Sequence, residues 1–142
     1  MVTEIHFSVH VPREIYDEMV AHVLAGYPNE ACGALGSQGE LVVKNYPTDN
    51  AAEQPDDFSI ISDTDIVRIY NDIDKYDGDM IYYHSHPQSE AYPSARDIDW
   101  AKRSGYLYII FSLQYQPKPP YARVFKIDAA GSVTEGVIAI DE

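Results

Sequence analysis

The sequence predicts an α+β domain in which helices pack on a central mixed β-sheet. Two observations carry this prediction. Short runs rich in β-branched and aromatic residues, such as YLYIIFSL at 106–113, are interleaved with stretches whose apolar residues recur at helical spacing. No repeat, linker or low-complexity segment divides the 142 residues, so residues 1–142 are expected to form one domain.

The elements follow in chain order. EIHFSV at 4–9 alternates apolar and polar residues and reads as a strand. Pro12 sits where a first helical turn tolerates it. Ile15, Met19 and Val23, with Val20 and Leu24 beside them, make an apolar stripe that Gly26 ends. ACGALG at 31–36 and ELVVKNY at 40–46 flank Gly39 as a hairpin. PTDNAAEQPDD at 47–57 is a polar loop, and FSIIS at 58–62 reads as a short strand. Ser62 or Asp63 can cap a helix carrying Ile66, Ile69, Tyr70 and Ile73. After a turn at 75–79, MIYYHSH at 80–86 is a strand, and a further helix runs from Ser94 to near Gly105. YLYIIFSL, ARVFKID at 122–128 and SVTEGVIAI at 132–140 complete the sheet.

Composition excludes several functions. A net charge of -13 leaves no basic patch for nucleic acid or anionic membrane. No segment approaches the ~20 apolar residues that span a bilayer, and the first ten residues do not read as a signal peptide. Cys32 is the lone cysteine, which fits a reducing cytoplasm. The expectation is a cytoplasmic, soluble domain. A homodimer is left open.

The chemistry concentrates in YHSHPQSEAYPSARDID, residues 83–99. Residues i and i+2 of a strand share a face, so His84 and His86 project together as a ready pair of metal ligands. A third ligand would be Asp97 or Asp99, brought back by the loop that Pro87 and Pro93 stiffen. The same residues also admit a plain account. Two histidines can sit exposed on a strand, and Ser94 with Asp97 has the spacing of a capping box. Glu30, in PNEACG at 28–33, lies where a helix meets an apolar strand, a costly place for a carboxylate without a role, although taken alone it reads as an exposed loop residue. Cys32 has apolar neighbours and reads as packing rather than as a nucleophile.

Taken together, Glu30, His84-Ser85-His86-Pro87, six further residues and Ser94-Ala95-Arg96-Asp97 resemble the JAMM signature of the MPN-domain metallopeptidases. The order of elements also resembles the MPN fold, a cytidine-deaminase-like α+β architecture. Within the family, PNEACG and EAYPS look most like the small prokaryotic Mec-type peptidases. The resemblance implies Zn2+ held by His84, His86 and Asp97. It gives Glu30 the role of general base and Ser94 that of hydrogen-bond donor to the oxyanion, with the Ser94 capping and catalytic roles in competition. Asp99 falls outside the motif. The implied partner is a ubiquitin-like sulfur-carrier protein, cut after its C-terminal Gly-Gly to release cysteine or a short extension. Nucleic acid and membrane are not implied partners. Broader removal of ubiquitin-like modifiers, or a non-catalytic MPN scaffold, are the competing functions. His6, His10 and His22 are expected to be structural or exposed, and Tyr92 to line the substrate groove.

Overall fold

In the computed structural model, residues 7–142 are described, and they build an eight-stranded sheet with three helices. The order along the chain is β1 (Ser8–Pro12), α1 (Arg13–Gly26), β2 (Cys32–Gln38), β3 (Leu41–Thr48), α2 (Asp63–Asp74), β4 (Asp79–His86), α3 (Ala95–Ser104), β5 (Leu107–Ser112), β6 (Tyr121–Ile127), β7 (Val133–Glu135) and β8 (Val137–Asp141). In space the strands run β7-β6-β5-β4-β2-β3-β1-β8, with β4 antiparallel to β2 and parallel to β5. The sheet is therefore mixed, as expected.

The alternation of β4 divides its side chains between two cores. Ile81 and Tyr83 join Val9, Met19, Val23, Leu35 and Phe111 on the side of α1. Met80 and Tyr82 join Ile69, Ile73 and Ala101 on the side of α2 and α3. Position 84 continues the even series and so faces the side of α3. Most of the α1 stripe is covered as its periodicity predicts, with Met19 and Val23 fully buried, although Leu24 faces solvent.

The ends of the sheet meet. β7 pairs with β6 at one end and β8 with β1 at the other, yet only Gly136 separates them in sequence. Gly136 donates its N–H to the Val124 carbonyl (3.0 Å), and Val137 donates to that of Phe7 (3.1 Å), so the sheet curls into a nearly closed barrel. A Cβ at Gly136 would stand 2.4 Å from the Phe7 ring, so this crossing requires glycine.

Several sequence expectations need correction. The first strand is Ser8–Pro12 rather than 4–9, and residues 4–6 of the expected strand, with His6, lie outside the described residues. Pro12 ends that strand and stands immediately before α1 rather than in its first turn. FSIIS is not a strand. Its backbone is engaged elsewhere: Asn50 accepts from the Ile60 N–H (3.0 Å) and donates to the Phe58 carbonyl (2.9 Å), while the Phe58 N–H reaches the Gln54 carbonyl (3.1 Å). SVTEGVIAI splits at Gly136 into two strands at opposite ends of the sheet. Among the described residues, no helix is long and apolar enough to cross a membrane.

Candidate metal centre

His84 and His86 end β4 on the face that α3 covers, and Asp97 is the third residue of that helix. Three side-chain atoms converge there. His84 Nε2 and His86 Nε2 are 3.2 Å apart, and Asp97 Oδ2 lies 3.3 Å from the first and 3.1 Å from the second. All three residues are buried.

The placement of Asp97 follows from local chemistry. Ser94 caps α3: its Oγ accepts from the Asp97 N–H (3.1 Å), while its own N–H donates to Asp97 Oδ2 (2.9 Å). This reciprocal box fixes the carboxylate rotamer and aims Oδ2 at the histidines. Gly105, in the left-handed region, ends the helix. The Ser94 Oγ serves the cap as an acceptor, which leaves its hydroxyl hydrogen free. The cap by itself does not use the hydroxyl hydrogen that the oxyanion role would need.

His86 is oriented from its other nitrogen. Nδ1 lies 2.8 Å from the Glu90 carbonyl, which can only accept, so the proton sits on Nδ1 and Nε2 of the neutral ring presents a lone pair. That lone pair faces the Asp97 carboxylate oxygen, an arrangement that asks for a cation between them. Burial works against charge on His86, but Asp97, the Glu90 carbonyl and Glu30 outweigh it and raise its pKa. Burial would likewise raise the Asp97 carboxyl. The neighbouring His84 and His86 rings and the Ser94 N–H reverse this and hold it well below the usual carboxylate range.

The three atoms fit a metal ion. Ligand atoms 2.0–2.1 Å from a tetrahedral zinc stand roughly 3.3 Å from one another, and the three separations here are 3.1–3.3 Å. Among the described residues, His84, His86 and Asp97 form the His/Cys/Asp/Glu group whose donor atoms lie close enough together to hold a metal.

Two cavities flank the cluster. One, of about 170 Å³, is walled by Ile60, Ile66, Tyr82, Trp100 and Tyr108 and reaches His84 and Asp97. The other, of about 540 Å³, brings Glu30, His86, Pro87 and Ser94 onto one surface. Glu30 is 8% exposed, and its Oε1 is buried with no hydrogen-bond partner. Burial pushes its carboxyl above the usual range, against the opposing pull of His84 and His86.

The remaining sequence candidates lie elsewhere. Asp99 is exposed and pairs with Lys102 and Arg103 (both 3.4 Å). His10 meets Asp141 at the surface (3.3 Å), and His22 Nε2 lies 2.8 Å from the Cys32 carbonyl. Cys32 is buried, and burial raises its thiol pKa, the opposite of what a nucleophile needs. Tyr92 packs edge-on against Phe125 beneath Arg123. Two residues went unnoticed in the sequence. Ser85 is fully buried, and its Oγ accepts from the Ala31 N–H (2.9 Å) beside Glu30. Asn50 looked like loop polarity, although asparagine side chains commonly bond the backbone two residues on, as Asn50 Oδ1 does with the Ala52 N–H (3.0 Å).

Comparison with known proteins agrees with the motif. Residues 12–127 match the family model for prokaryotic homologs of the JAB domain. The CysO-cysteine peptidase of Mycobacterium tuberculosis is 31% identical over 133 residues, which are 91% of this chain and 88% of that protein. The desampylase of Haloferax volcanii is 33% identical over 103 residues, covering 68% and 74%. The solution structure of DSY2949 from Desulfitobacterium hafniense superposes with a TM-score of 0.82 at 31% identity, covering 94% and 93%. The chain has the α+β MPN fold expected from its sequence, and its class is that of the JAMM-type hydrolases. It belongs to the family of prokaryotic JAB-domain proteins.

Proposed function

We propose that this protein is a zinc-dependent peptidase. In this reading it hydrolyses the bond after the C-terminal Gly-Gly of a ubiquitin-like sulfur-carrier protein and releases cysteine or a short extension. The observation that carries the reading is the trio of donor atoms at tetrahedral separations beside a buried carboxylate with a free oxygen. His84, His86 and Asp97 would hold the zinc. When bound, zinc supplies Lewis-acid polarisation of a carbonyl and brings the pKa of a coordinated water to about 7.

The chain's own residues do the rest. Glu30 takes the proton of the attacking water and returns it to the leaving amine. Burial raises its carboxyl above the ordinary range, which makes the proton it accepts easier to hold until the leaving amine takes it. Ser94 points its free hydroxyl hydrogen at the oxyanion while its oxygen holds the helix cap. A glycine tail suits a site with buried reacting groups, because only glycine brings backbone close without a Cβ. The similarity to a peptidase named for CysO-cysteine supports a sulfur carrier as substrate. A chain with a single, buried thiol fits a reducing cytoplasm.

The similarity to a desampylase favours a second reading, removal of ubiquitin-like modifiers from protein lysines. One experiment tests both. Zinc-loaded protein is incubated with a ubiquitin-like carrier bearing a C-terminal cysteine, and in parallel with a lysine-linked conjugate. Mass spectrometry should show the carrier shortened to Gly-Gly. Cleavage of the conjugate alone favours the second reading, and an intact carrier together with an intact conjugate rejects both.

A further inference from the structure

The backbone of Glu30 is held by the 50–60 segment rather than by the sheet. β2 begins only at Cys32. The Glu30 N–H donates to the Pro55 carbonyl (2.7 Å), and the Glu30 carbonyl accepts from Asn50 Nδ2 (2.9 Å). Both main-chain polar groups of the residue that carries the free carboxylate therefore end on one loop.

Asn50 also gives that loop its shape. Its Nδ2 donates to the Phe58 carbonyl (2.9 Å), with a longer contact to that of Pro55 (3.5 Å). Its Oδ1 accepts from the N–H groups of Ala52 and Ile60 (both 3.0 Å). The side-chain amide has two donor hydrogens and two acceptor sites, and every one is engaged. Beside it the Ala51 N–H reaches the Ile60 carbonyl (2.8 Å), which closes the base of the loop. At the far side Arg96 stacks on Phe58, 3.8 Å from the ring centroid, and ties the loop to the helix that carries Asp97. The loop lines both cavities, with Ile60 in the apolar one and Asp56 and Asp57 in the other.

We infer that Asn50 is a positioning residue for the reaction: it fixes Glu30 relative to the His84–His86–Asp97 cluster by clamping the 50–60 loop onto the Glu30 backbone. The inference rests on the reading of Glu30 as general base. Outer partners that orient reacting groups typically contribute about 10- to 100-fold, and a displacement of ~1 Å costs on the order of 100-fold. A solvated loop asparagine would contribute nothing measurable.

A double-mutant cycle tests it. Asn50→Asp keeps the acceptor bonds to Ala52 and Ile60 and loses both donor bonds, so it releases Glu30 while the loop keeps its turn. Asn50→Ala loses all of them. Each variant is made in the native chain and in Glu30→Gln, loaded with zinc, and assayed for kcat and KM on a carrier with a C-terminal extension. Zinc content is measured separately. Asn50→Asp should lower kcat by about 10- to 100-fold with full zinc content, and should lower it little further in the Glu30→Gln background. Equal fold-losses in the two backgrounds would overturn the inference, because Asn50 would then act on the fold or on substrate rather than through Glu30. Loss of zinc from Asn50→Asp would overturn it as well. Should Asn50→Ala not fold, Asn50→Asp alone decides. If Glu30→Gln by itself keeps native turnover, the general-base reading fails and takes this inference with it.

Discussion

Replacing Glu30 by glutamine should make the protein slower and more stable at once. The kinetic part follows from the chemistry: a general base contributes about 10² to 10⁴ in rate, or roughly 3–5 kcal/mol of barrier. The stability part follows from burial. Glu30 is 8% exposed and Oε1 lacks a partner, so the folded chain bears the cost of a desolvated carboxylate. An unmet buried polar group costs ~1–3 kcal/mol, and more when charged. A glutamine amide at the same place is also incompletely bonded, and it gives up the attraction to His84 and His86, so the net gain is put at about 1 kcal/mol. For a chain of this size that is a rise of ~3–5 °C in Tm. The sign of the pH dependence is fixed too. The Glu30 pKa is raised above 4.5 in the fold, so the native protein loses stability as pH climbs from there through the folded value. The advantage of Glu30→Gln should therefore be smaller at pH 4 than at pH 7. Thermal unfolding of metal-free protein by circular dichroism at both pH values measures it. A glutamine variant that is less stable at pH 7, or whose gain is the same at both, would refute the burial argument.

Asp97→Ala should lose zinc, and Asp99→Ala should keep it, because Asp99 makes only exposed pairs worth a few tenths of a kcal/mol; elemental analysis of the two purified variants decides. Ser94→Ala should cost about 1 kcal/mol of stability through the lost cap and lower kcat as well, while Ser94→Thr keeps both functions. A threonine variant as slow as the alanine one would remove the hydroxyl from the chemistry. Changing the final glycine of the carrier to alanine should nearly abolish cleavage, read as kcat/KM; equal cleavage would point to a general peptidase.

The convergence of His84, His86 and Asp97 was largely legible because its parts are local or spaced by rule. His84 and His86 share a face by strand periodicity, and Ser94 with Asp97 announces a helix start whose cap also aims the ligand. Glu30 needed the whole motif, since nothing near it in sequence shows that β2 and β4 pair and set Cys32 opposite His84. FSIIS misled because its β-prone side chains carry no record of Asn50, which takes the backbone groups a strand would use. The break at Gly136 was hidden for a similar reason: the residues on both sides of it in SVTEGVIAI are β-prone, and only the ring of Phe7 shows where the chain must turn.

The junction of β7 and β8 has a consequence for how the chain acquires its structure. β1 touches β3 through the single pair His10–Leu41, whereas its full-length partner is β8, from Ser8–Val137 to Pro12–Asp141. On a ribosome the first strand must therefore wait, nearly unpaired, until residues 137–141 have emerged, because chain growth at about 5–20 residues per second sets the delay. Contacts so distant in sequence are also slow to form in free solution. Refolding should end with the closing of this seam, and a shortened C-terminus should leave the earlier strands assembled around an opening beside Val9 and Val11.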